Sequence, residues 1–286
     1  MIWRAVAWLA LLAQPALAEP ALVGERVFDW HDRAAWFGGW SGIEVGDHGT
    51  TGVVVSDRGT LAHIKMQRSD GDLTGVEIDR AIPVTGAQGR ALPKLQRDLE
   101  GIAIGADGRI ELSFEHHHRV MRVDPQTGHL SDRRPFFLDL ARNVGMEALA
   151  IGPDDALYAV AETRPKGDAP LVVHALRGDI WTPAFEIPHR RPFVPVGADF
   201  DDRGRLWLLE RAATPLGFRS RIRMFTLEGQ AAREHILLTT GPGRFDNLEG
   251  LSVWRDTKGA IRLTMVSDDN FLWIQRSQIV EFEITQ

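Results

Sequence analysis

The sequence predicts an all-β protein, a β-propeller with five blades. Three observations predict it. One short pattern recurs about every fifty residues: an acid or small residue, then glycine or alanine, then an apolar run. In every copy a tight turn follows, often built on Asp-Gly or its neighbours, and a second apolar run that ends in an acid. Helical periodicity is scarce between the copies, so the repeating unit is made of short strands and turns.

The chain in order supports that reading. Residues 1–18 are a targeting segment: Arg4 supplies the positive start, Ala5–Leu12 a short apolar stretch, and Ala16-Leu17-Ala18 a small-x-small cleavage site. An exported, periplasmic or secreted protein is expected, with residues 19–286 as a single propeller domain. No later stretch is apolar enough to span a bilayer as a helix. Leu22–Trp30 reads as a strand that joins the last blade and closes the ring, leaving few exposed edges. The first unit begins at Ser41-Gly42, runs through Gly52–Val55 to Ser56-Asp57-Arg58, and adds Thr60–Met66 and Gly75–Ile82. The second opens at Glu100-Gly101, turns at Asp107-Gly108 and ends at Glu115. Val120–Val123 and Arg134–Leu140 are its outer strands.

The third unit runs from Met146-Glu147-Ala148 to Ala161-Glu162, and the fourth from Val196-Gly197 to Leu209-Glu210-Arg211. The fifth runs from Leu248-Glu249-Gly250 to Ser267-Asp268-Asp269-Asn270, and Trp273–Ile284 supplies closing strands. A sixth blade is open only if Thr163–Pro195 hides a degenerate copy. Gly42, Gly101, Ala148, Gly197 and Gly250 follow the first position of each unit, where inner strands crowd the axis and a small residue lets backbones approach. Trp207, Trp254 and Trp273 read as packing between blades.

Composition excludes several functions. A net charge of −6 gives no nucleic-acid surface. The absence of cysteine removes a disulfide framework, a cysteine nucleophile and a thiolate zinc site. There is no G-x-S-x-G elbow and no phosphate-binding Gly-Lys-Ser/Thr loop.

The first strand of a blade leaves one face of the disc and the second returns to it. The start of one and the end of the other therefore share a face. Glu100, Glu147 and Glu249 stand at the start, and Asp57, Glu115, Glu162, Glu210 and Asp268 at the end. Ser41 and Val196 take the starting place in the other two units. There an acid comes three residues later, at Glu44 and Asp199, pointing to the opposite side. Carboxylates this crowded repel, and a cation is the natural remedy. Oxygen ligands favour a hard ion, calcium first, then magnesium or manganese. In this reading Glu100, Glu147 and Glu249 hold the metal, and the five strand-end acids complete the shell or act as general base. Arg58, His116, Arg164, Arg211 and Asn270 lie on the same face, and Arg58 and Arg211 suit an anionic group. Salt bridges to nearby arginines are the plain alternative for each acid. Within His116-His117-His118, consecutive residues cannot all ligate one ion. A solvated loop is the simpler reading, with His116 alone placed to face the site.

These motifs, in this order, resemble the phytase-like family with esterase-like activity. The matching pieces are Ser41-Gly42 with Ser56-Asp57-Arg58, Glu100-Gly101 with Glu115, Glu147 with Glu162, Leu209-Glu210-Arg211, Asn247-Leu248-Glu249-Gly250 and Ser267-Asp268-Asp269-Asn270. The chain departs from the pattern at Val196 and in its triple histidine. The resemblance implies an exported propeller that hydrolyses phosphoric or other esters. The expected substrate is a small anionic ester, and the expected state a monomer. A calcium-dependent lactonase of gluconolactonase type and a non-catalytic binding propeller are the alternatives.

Overall fold

The computed structural model describes residues 19–136, 145–163, 165–167, 169–229 and 231–285. The targeting segment expected at 1–18, Arg164 and the end of the strand expected at Arg134–Leu140 lie outside the described residues.

The described chain folds into five four-stranded antiparallel sheets. Blade 1 holds β2 (Trp40–Gly46), β3 (Thr51–Ser56), β4 (Thr60–Ser69) and β5 (Asp72–Pro83). Blade 2 holds β6 (Leu99–Ile104), β7 (Ile110–Phe114), β8 (Arg119–Val123) and β9 (Leu130–Pro135). Blade 3 holds β10 (Ala148–Ile151), β11 (Leu157–Val160), β12 (Leu171–Arg177) and β13 (Ile180–Ile187). Blade 4 holds β14 (Val194–Phe200), β15 (Leu206–Thr214), β16 (Gly217–Glu228) and β17 (Ala231–Thr239). Blade 5 combines β18 (Asn247–Arg255), β19 (Ile261–Asp268) and β20 (Gln278–Thr285) with β1 (Ala21–Asp29) from the other end of the chain. The pairing of β1 with β20, from Ala21↔Thr285 to Asp29↔Gln278, closes the ring as expected. Thr163–Pro195 hides no sixth blade; it supplies the outer strands β12 and β13 of the third. Only part of Trp273–Ile284 is strand, since 271–277 form a turn before β20.

Burial explains the residue choice in each layer. A blade is covered on both faces by its neighbours, so inner strands carry nearly continuous buried runs, as in β18 and β19. The outer strands β13 and β17 have a solvent side and mix exposed with half-buried residues. The core is five separate apolar clusters, each at one seam between blades. Trp207 and Leu251 meet between blades 4 and 5, and Leu61 and Leu112 belong to the seam between blades 1 and 2. Trp30 stacks on Trp40 with ring centroids 5.2 Å apart, sealing the seam where the ring closes. Trp254 lies under the Arg68 guanidinium of blade 1 and donates to Thr264 Oγ1 at 2.8 Å. Trp273 breaks the expectation: it is 95% exposed and packs no seam.

The inner strands approach as closely as the small residues allow. A Cβ on Gly101 would stand 2.5 Å from the Glu147 carbonyl oxygen, and one on Gly197 2.5 Å from that of Glu249. Gly250 closes the circle, its Cβ position lying 2.8 Å from the Ile43 nitrogen. No helix among the described residues is long and apolar enough to cross a membrane.

Gly197→Ala forces the β14–β18 backbones apart. It is expected to lower stability by about 1–3 kcal/mol, the usual range for overpacking, read as a lower urea midpoint. A midpoint equal to the parent's would show that the seam has slack.

Candidate functional site at the channel mouth

The strand register decides which side chains meet at the mouth. Gly42 pairs with Val55, Gly101 with Ser113, Ala148 with Val160, Gly197 with Leu209 and Gly250 with Val266. Just before these pairs, β2, β6, β14 and β18 each carry a β-bulge, at Ser41, Glu100, Val196 and Glu249. Bulges re-aim a side chain at a sheet end, and in these four blades they turn the first position of the unit to the axis. Two residues beyond the pairs on the second strand come Asp57, Glu115, Glu162, Arg211 and Asp268. The residue of blade 4 equivalent to the strand-end acids is therefore Arg211, not Glu210.

Glu210 is fully buried inside blade 4. It accepts from Arg221 Nε at 2.6 Å and Arg223 Nη2 at 2.7 Å. The expected general-base role does not fit it, because both oxygens are taken by guanidinium groups within its own sheet.

Arg211 lies among the carboxylates. Nη1 donates to Glu249 and to Asn247 Oδ1 at 2.9 Å; Nη2 donates to Glu162 Oε1 at 3.0 Å and stands 3.9 Å from Glu147 Oε2. Burial opposes its charge, but Glu249, Glu147 and Glu162 outweigh that and hold its pKa above the usual arginine range. One guanidinium thus serves three blades. Asn247 Nδ2 supports the same Glu249 oxygen at 2.7 Å. Glu147 Oε2 is buried and accepts no hydrogen bond.

Four mouth carboxyls have no such cation. Glu100 is pushed well above the ordinary range by burial, then by Glu147 and Glu249. Asp268 is pushed up to about 8 by burial and Glu249, although the Asn270 N–H donates to its Oδ1 at 2.6 Å. Glu115 rises to about 7 through burial and Asp98. Asp57 rises to about 6 through burial and Asp98, with Arg58 pulling the other way.

His116 stands at a turn with positive φ and places Nε2 3.2 Å from Asp98 Oδ2 and 3.3 Å from Glu115 Oε2. One ligand atom from each of Asp98, Glu115 and His116 falls within 4.8 Å of the others, the one such group among the described residues. Glu100, Glu147 and Glu249, the expected metal ligands, share the mouth, but Glu147 and Glu249 lean on Arg211. His117 is exposed on the turn, so the three histidines do not converge.

Arg58 is exposed, its guanidinium 3.0 Å above the Phe271 ring centroid. Asn270 contributes its backbone N–H, with its side chain turned to solvent. From sequence Asp98 has no role, and Asn247 enters only as part of a matching motif. Both stand two residues before a bulged acid, Glu100 or Glu249, which is the signal that could have found them. Glu44 and Asp199 lie at the opposite end of the channel, lining a cavity of about 680 Å³. Burial pushes Asp199 up to about 7, and burial with Asp199 raises Glu44 well above its ordinary range.

Comparison with known proteins follows this geometry. The family profile described as "Phytase-like: Esterase-like activity of phytase" matches residues 35–271. A comparison with curated protein sequences gives no match. Among solved structures, the chain is similar to the PQQ-bound aldose sugar dehydrogenase of Streptomyces coelicolor, at 14% identity and TM-score 0.50, covering 92% of this chain and 99% of that one. It is also similar to a Xanthomonas campestris gluconolactonase, at 16% identity and TM-score 0.47, covering 93% and 95%. At these identities the likeness concerns the fold alone.

Two outcomes test the electrostatics in cation-free protein. The raised carboxyls hold protons in the folded state that the unfolded chain, titrating near pH 4, has released. Their stabilising contribution is complete below about pH 4 and is lost as pH rises through 6 to 8. The melting temperature is expected to fall from about pH 4.5 to about pH 8 and to level off above that. Arg211→Met is expected to cost about 3–5 kcal/mol at pH 8 and clearly less near pH 5, where protonation replaces the lost cation. Equal cost at both pH values would show that Arg211 is not the counter-ion.

Proposed function

The chain belongs to the phytase-like family, and from that premise we propose that it is a hydrolase of ester bonds, phosphoric esters first, whose site is the carboxyl-rich channel mouth. The observation that carries this reading is the convergence of acids from four blades on one opening where, among the described residues, Arg211 is the arginine ion-paired with them.

The donor set fits a divalent cation. Asp98, Glu115 and His116 present three ligand atoms to one another, Glu100 lies beside them, and Glu147 keeps a buried oxygen without a donor. Mostly oxygen ligands suit calcium first, then magnesium or manganese. Bound there, the ion supplies Lewis-acid polarisation of an ester oxygen.

The remaining roles belong to side chains. Arg58, exposed and fixed on Phe271, binds the anionic group of the ester. Asp57, its neighbour in sequence, takes the proton of the attacking water. Asp268, in the neighbouring blade 5 and protonated near neutrality, gives a proton to the leaving oxygen. Arg211 already donates to Glu249, Glu162 and Asn247, so its part is to hold the carboxylates together rather than to grip substrate.

That same saturation favours a second reading, a non-catalytic binding propeller. Metal analysis of the purified protein, followed by hydrolysis of p-nitrophenyl phosphate, p-nitrophenyl acetate and gluconolactone with and without chelator, separates the two. The hydrolase reading expects phosphate-ester turnover that chelator removes. Asp57→Asn should lower kcat by about 100-fold or more, and Glu115→Gln should weaken the cation by about 10-fold or more. Cation-loaded protein that turns over none of the three substrates would leave the binding reading.

A further inference from the structure

The face around the mouth carries an apolar, cationic rim that the chemistry above does not use. In each blade the turn between the second and third strands lies on this face, as does each connection to the next blade. Among the described residues, five large apolar side chains stand exposed on connections between strands, Leu95, Leu216, Leu272, Trp273 and Ile274, and all five lie on the mouth face.

Three of them are consecutive. Leu272, Trp273 and Ile274 are 51%, 95% and 65% exposed. They are not a loose loop, because the turn beneath them is pinned. Phe271 N–H donates to Asp269 Oδ1 at 3.0 Å, Leu272 N–H to the Asp269 carbonyl at 2.8 Å, and Gln275 N–H to the Leu272 carbonyl at 2.9 Å. Phe271 itself lies under Arg58. The fold therefore holds an apolar wedge outward although burial of such side chains is favourable. An indole has an apolar body and a polar N–H, which suits the level of lipid headgroups.

Outside the mouth this face carries exposed cations at Lys94, Arg97 and Arg276, the last with Nε 3.7 Å from Asp246 Oδ2, and an exposed acid at Asp32 before β2. Arg97 packs against the turn that carries Arg58, its Cβ 3.0 Å from the Cβ position of Gly59. Lys94 and Arg97 bracket the exposed Leu95, and Arg276 follows the wedge. Cations interleaved with apolar tips complement an anionic headgroup layer.

We propose that this face docks on a lipid bilayer containing anionic headgroups, with Leu272, Trp273 and Ile274 entering the interface and Lys94, Arg97 and Arg276 meeting the headgroups. The docking does not depend on what the mouth catalyses. It sets the channel opening toward the lipid surface.

Cosedimentation of the purified protein with vesicles of phosphatidylglycerol and phosphatidylcholine tests it. Binding is expected, weaker on phosphatidylcholine alone and weaker at high salt. Trp273→Ser combined with Ile274→Ser should lower vesicle affinity about tenfold or more. Lys94→Gln combined with Arg97→Gln should lower it roughly 10- to 30-fold on anionic vesicles. The melting temperature should stay at the parent value in both, since these side chains are exposed, so lost binding cannot be lost fold. The proposal is overturned if the parent protein stays in the supernatant, or if the wedge variant binds as well as the parent. It is overturned too if light scattering finds a dimer that Trp273→Ser dissolves, which would assign the wedge to a second copy of the chain.

Discussion

Like charge brought together by a closed ring is the constraint on which this structure turns. Five blades aim the ends of their inner strands at one axis, and seven carboxyl groups arrive there with them: Asp57, Glu100, Glu115, Glu147, Glu162, Glu249 and Asp268. Ring closure leaves them no freedom to spread, because glycine contacts fix the inner strands within van der Waals range. Arg211 relieves part of the repulsion by holding Glu147, Glu162 and Glu249. The rest appears as carboxyls that keep their protons toward neutral pH. Five apolar seams supply the burial that tolerates such a centre.

The same fold sorts its polar groups by height and radius. Some pairs of acid and arginine lie within a sheet, as at Glu210 with Arg221 and Arg223, and others join two sheets, as at Glu281 with Arg68. Acids that form no ion pair with an arginine of their own sheet meet at the axis. Apolar and basic side chains that stay exposed stand on the rim outside them. A ligand approaching the mouth therefore crosses a cationic, apolar border before reaching an acidic centre.

Much of this was legible in the chain. The period gave five blades because each unit repeats both its strands and its turns, and β1 was legible as the closing strand because it precedes the first unit and matches none. The site was legible to one residue. Counting acids placed Glu210 beside Asp57, Glu115, Glu162 and Asp268, yet pairing places Arg211 there, since Gly197 faces Leu209. Adjacent residues of a strand face opposite ways, so this slip exchanged a buried ion pair for the hub of the mouth. Bulges hid the role of Asp98 and Asn247, because the extra residue breaks the alternation on which such a reading relies. Trp273 was misread for a different reason: a tryptophan's size argues for burial, and only the turn's position shows that no blade lies over it.

The most direct measurement is carbon NMR of side-chain carboxyls in cation-free protein labelled at aspartate and glutamate, followed across pH. Crowding at the mouth predicts a distinct group of carboxyls that titrate between about pH 6 and 8, among them those of Asp57, Glu115 and Asp268, identified by their loss in single amide variants. A spectrum in which every carboxyl titrates below about pH 5 would contradict the account, because the acids would then have neither repelled one another nor lacked a cation.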